Sequence, residues 1–121
     1  MAVAELGAVV LDCPDPRALA GFYAEVLGGT VEGDGEWVEL HLPGGRTLAF
    51  QAAPGHVPPR WPAGEQSQQF HLDLTVPDMD VAEKQILALG AAPLDIEDRT
   101  RNWRVYTDPA GHPFCLCRAT T

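Results

Sequence analysis

The chain opens on an alternating stretch. Over residues 6–13, Val9, Leu11 and Cys13 fall on one side and Ala8, Val10 and Asp12 on the other, the signature of a strand. Asp15 is a natural N-cap, with Pro16 at the first helical position. Leu19, Phe22, Tyr23, Val26 and Leu27 then recur at i, i+3, i+4, i+7 and i+8, the stripe of a helix laid on a sheet, and Gly28-Gly29 ends it. Residues 30–51 predict three short strands, separated by the turns Gly33-Asp34-Gly35 and Pro43-Gly44-Gly45. In the middle strand Val38, Leu40 and Leu42 alternate with Trp37, Glu39 and His41. The segment from about 5 to 51 reads β-α-β-β-β.

The order then repeats. Phe70 to Val76 predicts a strand, with Leu72, Leu74 and Val76 opposite His71, Asp73 and Thr75. Asp78 caps a helix carrying Met79, Ala82, Ile86 and Leu89, stopped by Gly90, and short strands follow near 93–97, 102–107 and 113–118. Landmarks agree between the copies: Pro77 stands 63 residues after Pro14, and Trp103 stands 66 after Trp37. The second segment runs from about 70 to 118. Two copies of one unit predict a pseudo-symmetric fold whose ligand site lies where the copies face each other. A repeat this long, present twice, is not a solenoid.

Residues 52–69, between the copies, contain Pro54, Pro58, Pro59 and Pro62, with Gly55, Gly64 and Trp61. That composition suits neither helix nor sheet and reads as a linker or a binding lid. Trp61 has no counterpart in the repeat, and a flat aromatic in such a loop suits a lid over a planar ligand.

The 121 residues make one domain of two repeats. A net charge of −9 argues against a nucleic-acid partner and disfavours an anionic membrane surface. Three cysteines (Cys13, Cys115, Cys117) form no disulfide framework and fit a reducing compartment. No apolar run approaches the roughly 20 residues of a membrane span, and the N-terminus carries no basic signal-peptide region. The expectation is a cytoplasmic protein.

The paired units, Phe22-Tyr23 before Leu27-Gly28, and the turn Asp108-Pro109-Ala110-Gly111 ahead of His112-Pro113-Phe114 resemble the glyoxalase / bleomycin-resistance / extradiol-dioxygenase (vicinal oxygen chelate) superfamily over nearly the whole chain. The resemblance implies an α+β fold: two βαβββ repeats forming a cupped, barrel-like mixed sheet with helices on the outside. It also implies a homodimer. Alternation assigns to the cup face Ala8, Val10, Asp12, Trp37, Glu39, His41, Ala49 and Gln51 in the first copy. In the second copy it assigns His71, Asp73, Thr75, Trp103, Val105, Cys115 and Cys117.

Metal-dependent relatives carry a His on the first strand and a Glu on the last strand of each copy. The matching positions here are Ala8, Ala49 or Gln51, His71 and Cys115, so only His71 keeps a family ligand. His71, Cys115 and Cys117 would offer Zn²⁺ three donors, but residues two apart on one strand lie roughly 7 Å apart, a strained fit for one tetrahedral ion. No metal or other cofactor is therefore expected. His71 reads either as a half-buried imidazole bonded to Asp73 or the backbone, or as an acid–base group oriented by Asp73. Cys115 and Cys117 read first as small apolar fillers. Three functions compete: binding of a small, partly aromatic molecule by Trp37, Glu39, Gln51, Trp61, His71, Trp103 and Cys115; a lyase, epimerase or dioxygenase; and a non-catalytic interaction domain. The sparse ligand set favours the first.

Overall fold

The computed structural model describes residues 2–3, 5–60 and 70–119. The lid expected around Trp61 lies outside the described residues. The described chain divides into two units, residues 1–56 and 57–121. Each is a four-stranded mixed sheet carrying one helix, in the expected βαβββ order. The class is α+β. The described strands fall into two separate ladders and not one closed barrel.

In the first unit, β1 (Val9–Cys13) runs parallel to β4 (Thr47–Ala52), and β3 (Trp37–His41) lies antiparallel between β4 and β2 (Thr30–Glu32). The helix α1 (Pro16–Leu27) starts where expected: Asp15 accepts a hydrogen bond from the Ala18 amide, and Gly28 caps the other end at φ 79°. Leu19, Phe22 and Tyr23 from this helix are buried, as are Val38, Leu40, Leu48 and Phe50 from the sheet. Tyr23 stacks on Phe50 with 5.9 Å between centroids. Gly29 sits at φ 101°, where a Cβ would collide with the His41 carbonyl, so this entry into β2 admits only glycine.

The second unit repeats the plan. Strand β5 (Leu72–Val76) is parallel to β8 (Pro113–Arg118), and β7 (Trp103–Thr107) pairs with both β8 and β6 (Ala92–Asp95). Asp78 caps α2 (Met79–Ala88), its carboxylate accepting from the Asp80 and Val81 amides. Met79, Ala82 and Ile86 are buried, with Leu74, Tyr106, Phe114 and Leu116. The Asp108 turn closes as its sequence suggests: its Oδ1 accepts from Ala110 and His112 amides at 2.9 and 3.0 Å.

Two expectations change, and one buried residue was not foreseen. The first strand of each unit is shorter than its alternation: residues 6–8 and Phe70–His71 precede the ladders, and Phe70 is exposed. Leu89 is the exposed C-cap of α2 instead of a core residue. Arg104 lies among the buried residues, 3% exposed. Its Nη2 donates to Asp80 at 3.0 Å and its Nη1 lies 3.6 Å from Glu83. Tyr106 donates to the same Glu83 at 2.7 Å. No described helix is long and apolar enough to cross a membrane.

Candidate functional site

The ladder of the second unit decides which polar groups meet. Asp73 on β5 is the register partner of Cys115 on β8, which is the partner of Val105 on β7; Thr75, Cys117 and Trp103 form the next row. Because partners in a ladder point to the same face, the residues that alternation assigned to the open face do share one. Five of the residues so assigned, His71, Asp73, Trp103, Cys115 and Cys117, line an open pocket of about 360 Å³ together with Asn102. Asn102 was not foreseen. It precedes β7, so strand alternation says nothing about it.

His71 Nε2 lies 3.1 Å from Asp73 Oδ1. The carboxylate also faces both thiols. Burial first, then the negative charge of Asp73, pushes the Cys115 thiol up to about 12, and the same two causes raise Cys117. At neutral pH neither is a thiolate nucleophile in this arrangement. Trp103 forms the aromatic wall. The Arg101 guanidinium stacks 3.7 Å from its ring centroid and is itself held by Asp95, with contacts of 3.0 to 3.3 Å. The stack braces one face of the indole, and Asp95 balances the charge of the guanidinium.

The chemistry of the donors bears on a metal. His71, Asp73 and Cys115 each present a ligand atom, and the three lie within 4.8 Å of one another. The sequence argument counted His71 with two cysteines of one strand. Cross-strand register supplies Asp73 as a third donor without that strain. The set is one imidazole, one carboxylate and one thiol, which suits Zn²⁺ and not the all-oxygen shell of Mg²⁺.

In the first unit Trp37, Glu39 and Gln51 occupy the open face of their own sheet. Trp37 pairs with Gln51, and Glu39 pairs with both Ala49 and Glu32. The Trp37 indole N–H donates to Glu39 Oε2 at 3.0 Å. His41 Nε2 lies 3.5 Å from Glu39 and 3.7 Å from Glu32. This second trio is more exposed and holds no sulfur.

The family model described as Glyoxalase-like domain matches residues 8–117. Among solved structures, a glyoxalase/bleomycin resistance protein/dioxygenase family enzyme from Burkholderia phytofirmans PsJN aligns with a TM-score of 0.74 at 19% identity, over 97% of this chain and 100% of that one. A glyoxalase-related enzyme from Fulvimarina pelagi aligns at 0.67 and 18%, over 97% and 89%. TnmS3, an antibiotic binding protein from Streptomyces sp. CB03234, aligns at 0.63 and 17%, over 99% of both chains. At these identities the likeness is one of fold. No curated protein gives a significant match.

Proposed function

Because the chain belongs to the glyoxalase-like domain family, we propose that it binds a small, partly aromatic molecule in the pocket on the second unit's sheet, in a mode that does not require a metal. The observation that carries this reading is the pocket itself: about 360 Å³, walled by an indole stacked on Arg101 and floored by His71, Asp73 and Cys115. That volume lies at the small end of ligand sites, and a few convergent polar groups beside an aromatic wall are their usual lining. The Asp73 carboxylate favours a neutral or cationic ligand. A structural neighbour that binds an antibiotic, TnmS3, supports the same class of function. The imidazole–carboxylate pair also suits proton transfer, so turnover of a bound compound would move the protein into the enzyme class. By resemblance we infer a homodimer, checked by a solution mass of twice 13.0 kDa, and from three cysteines without a disulfide framework we infer a reducing, cytoplasmic setting.

Calorimetry on chelator-treated protein, titrated with matched neutral, cationic and anionic aromatic compounds, tests the reading. Saturable one-to-one binding of a neutral or cationic compound is expected, weakened about tenfold or more by Trp103→Ala, the size of one lost aromatic contact. Affinity untouched by that substitution would remove the pocket from the account.

A further inference from the structure

The donor trio on the floor of this pocket also has the geometry of a metal site. An ion bound tetrahedrally by one N, one O and one S, at lengths of about 2.0 Å to N and O and about 2.3 Å to S, sets its donors roughly 3.3–3.5 Å apart. His71 Nε2 and Asp73 Oδ1 already stand at 3.1 Å, and all three donors lie within 4.8 Å. Side-chain rotation of about an ångström completes the set. Two of the donors, Asp73 and Cys115, sit on adjacent parallel strands in direct register, so the backbone pre-positions them. The third directly precedes β5.

Charge points the same way. A carboxylate and a thiolate carry two negative charges, and a divalent cation cancels them, so the bound site is neutral where Cys115 is only 3% exposed. Without an ion, Asp73 must rest against an imidazole and two protonated thiols. With one, the Cys115 proton leaves to solvent as the S–metal bond forms, one proton released per ion bound. A sulfur ligand selects against Mg²⁺, Ca²⁺ and Mn²⁺, which prefer oxygen.

We propose that His71, Asp73 and Cys115 bind one Zn²⁺, with all three protein ligands supplied by the second unit and a fourth position open to the pocket. This is not the four-cornered arrangement that the sequence resemblance implies, since Ala8 has no donor to give. A bound Zn²⁺ would supply Lewis acidity at that open position. The inference rests on the same pocket as the binding reading, but its test needs no organic ligand, and that reading is tested after chelation, so either can fail alone.

The experiment is a titration of chelator-stripped protein with Co²⁺, followed by absorbance, then by Zn²⁺ competition. A one-to-one complex with a sulfur-to-cobalt charge-transfer band is expected, abolished by added Zn²⁺ and indifferent to a large excess of Mg²⁺. Cys115→Ala should erase the band and Cys117→Ala should keep it. Because Cys115 is buried and its variant is at risk of misfolding, His71→Gln and Asp73→Asn provide the second arm. Both positions are exposed, and each substitution should weaken Co²⁺ binding about tenfold or more. The trio of Glu32, Glu39 and His41 has no sulfur, so ions bound there give no such band. Absence of the band, its survival in Cys115→Ala, or unchanged affinity in both His71→Gln and Asp73→Asn would overturn the proposal.

Discussion

Tyr106 shows how one group carries a pH dependence. Its ring is buried and its hydroxyl donates to Glu83 at 2.7 Å. Burial first, then the bond to Glu83 and that carboxylate's charge, raise its pKa above the ordinary 10.0, with Arg104 opposing. The folded chain therefore holds this proton more tightly than the unfolded chain does. The associated stability is complete below pH 10 and is lost as pH rises above it, because there the unfolded state ionises first. Tyr106→Phe should lower stability at pH 7 by about 1 kcal/mol, the net worth of one hydrogen bond. It should also flatten the decline of stability above pH 10 relative to the parent, and urea unfolding between pH 7 and 11 reads both effects. An equally steep alkaline decline in Tyr106→Phe would assign the pH dependence to other groups. At the candidate site the same scale explains what the sequence hid. Asp73 was visible as an orienting partner for His71, but its contact with Cys115 depends on which residues of two distant strands share a register, and periodicity carries no register.

At the scale of elements, the reading succeeds where a pattern is local and fails where a partner decides. Both helices, both Asp caps and the Gly28 stop were legible because caps and stripes lie within a few residues of one another. The strand ends were not. Alternation runs back to residue 6, yet β1 is a strand only where Leu48–Ala52 lie beside it. Strand β5 likewise begins at Leu72, opposite Phe114. The first strand of the last three, the least well patterned, is also the irregular one, its register shifting between Pro93 and Asp95. Arg104 was passed over because a lone cation within a strand gives no sign that a helix will bring it carboxylates. Glu83 and Asp80 of α2 join that helix to β7: Glu83 accepts from Tyr106 and Arg99 and faces Arg104, and Asp80 accepts from Arg104. Glu83→Ala leaves a guanidinium that is 3% exposed with Asp80 as its one remaining carboxylate and takes away the acceptor of the buried Tyr106 hydroxyl, so a loss of about 3 kcal/mol is expected in urea unfolding. A loss no larger than that of Asp15→Ala, about 1 kcal/mol for a helix cap, would mean that the network contributes nothing beyond a surface pair.

Over the whole molecule, duplication made the architecture readable: each copy vouches for the other, so an ambiguous strand in one is settled by its counterpart. Chemistry had no such second witness. The copies share a fold but carry different trios, Glu32, Glu39 and His41 in one and His71, Asp73 and Cys115 in the other. What both share is negative charge, as does the chain at −9. The nearest cation to the pocket wall, Arg101, is neutralised by Asp95. A ligand approaching Asp73 therefore meets a net negative field both locally and at long range. One unit charge about 4 Å from that carboxylate is worth about 1 kcal/mol in a water-like medium, near fivefold in affinity. A cationic aromatic should thus bind chelator-treated protein about fivefold more tightly than its neutral isostere at low salt, and the anionic isostere more weakly than either. Raising ionic strength from about 0.01 to 1 M shortens the screening length from about 30 to 3 Å, and the three affinities should converge while that of the neutral compound stays level. Calorimetry across that series reads the trend directly. A preference for the anion at low salt would mean that Arg101, and not Asp73, sets the potential of the pocket.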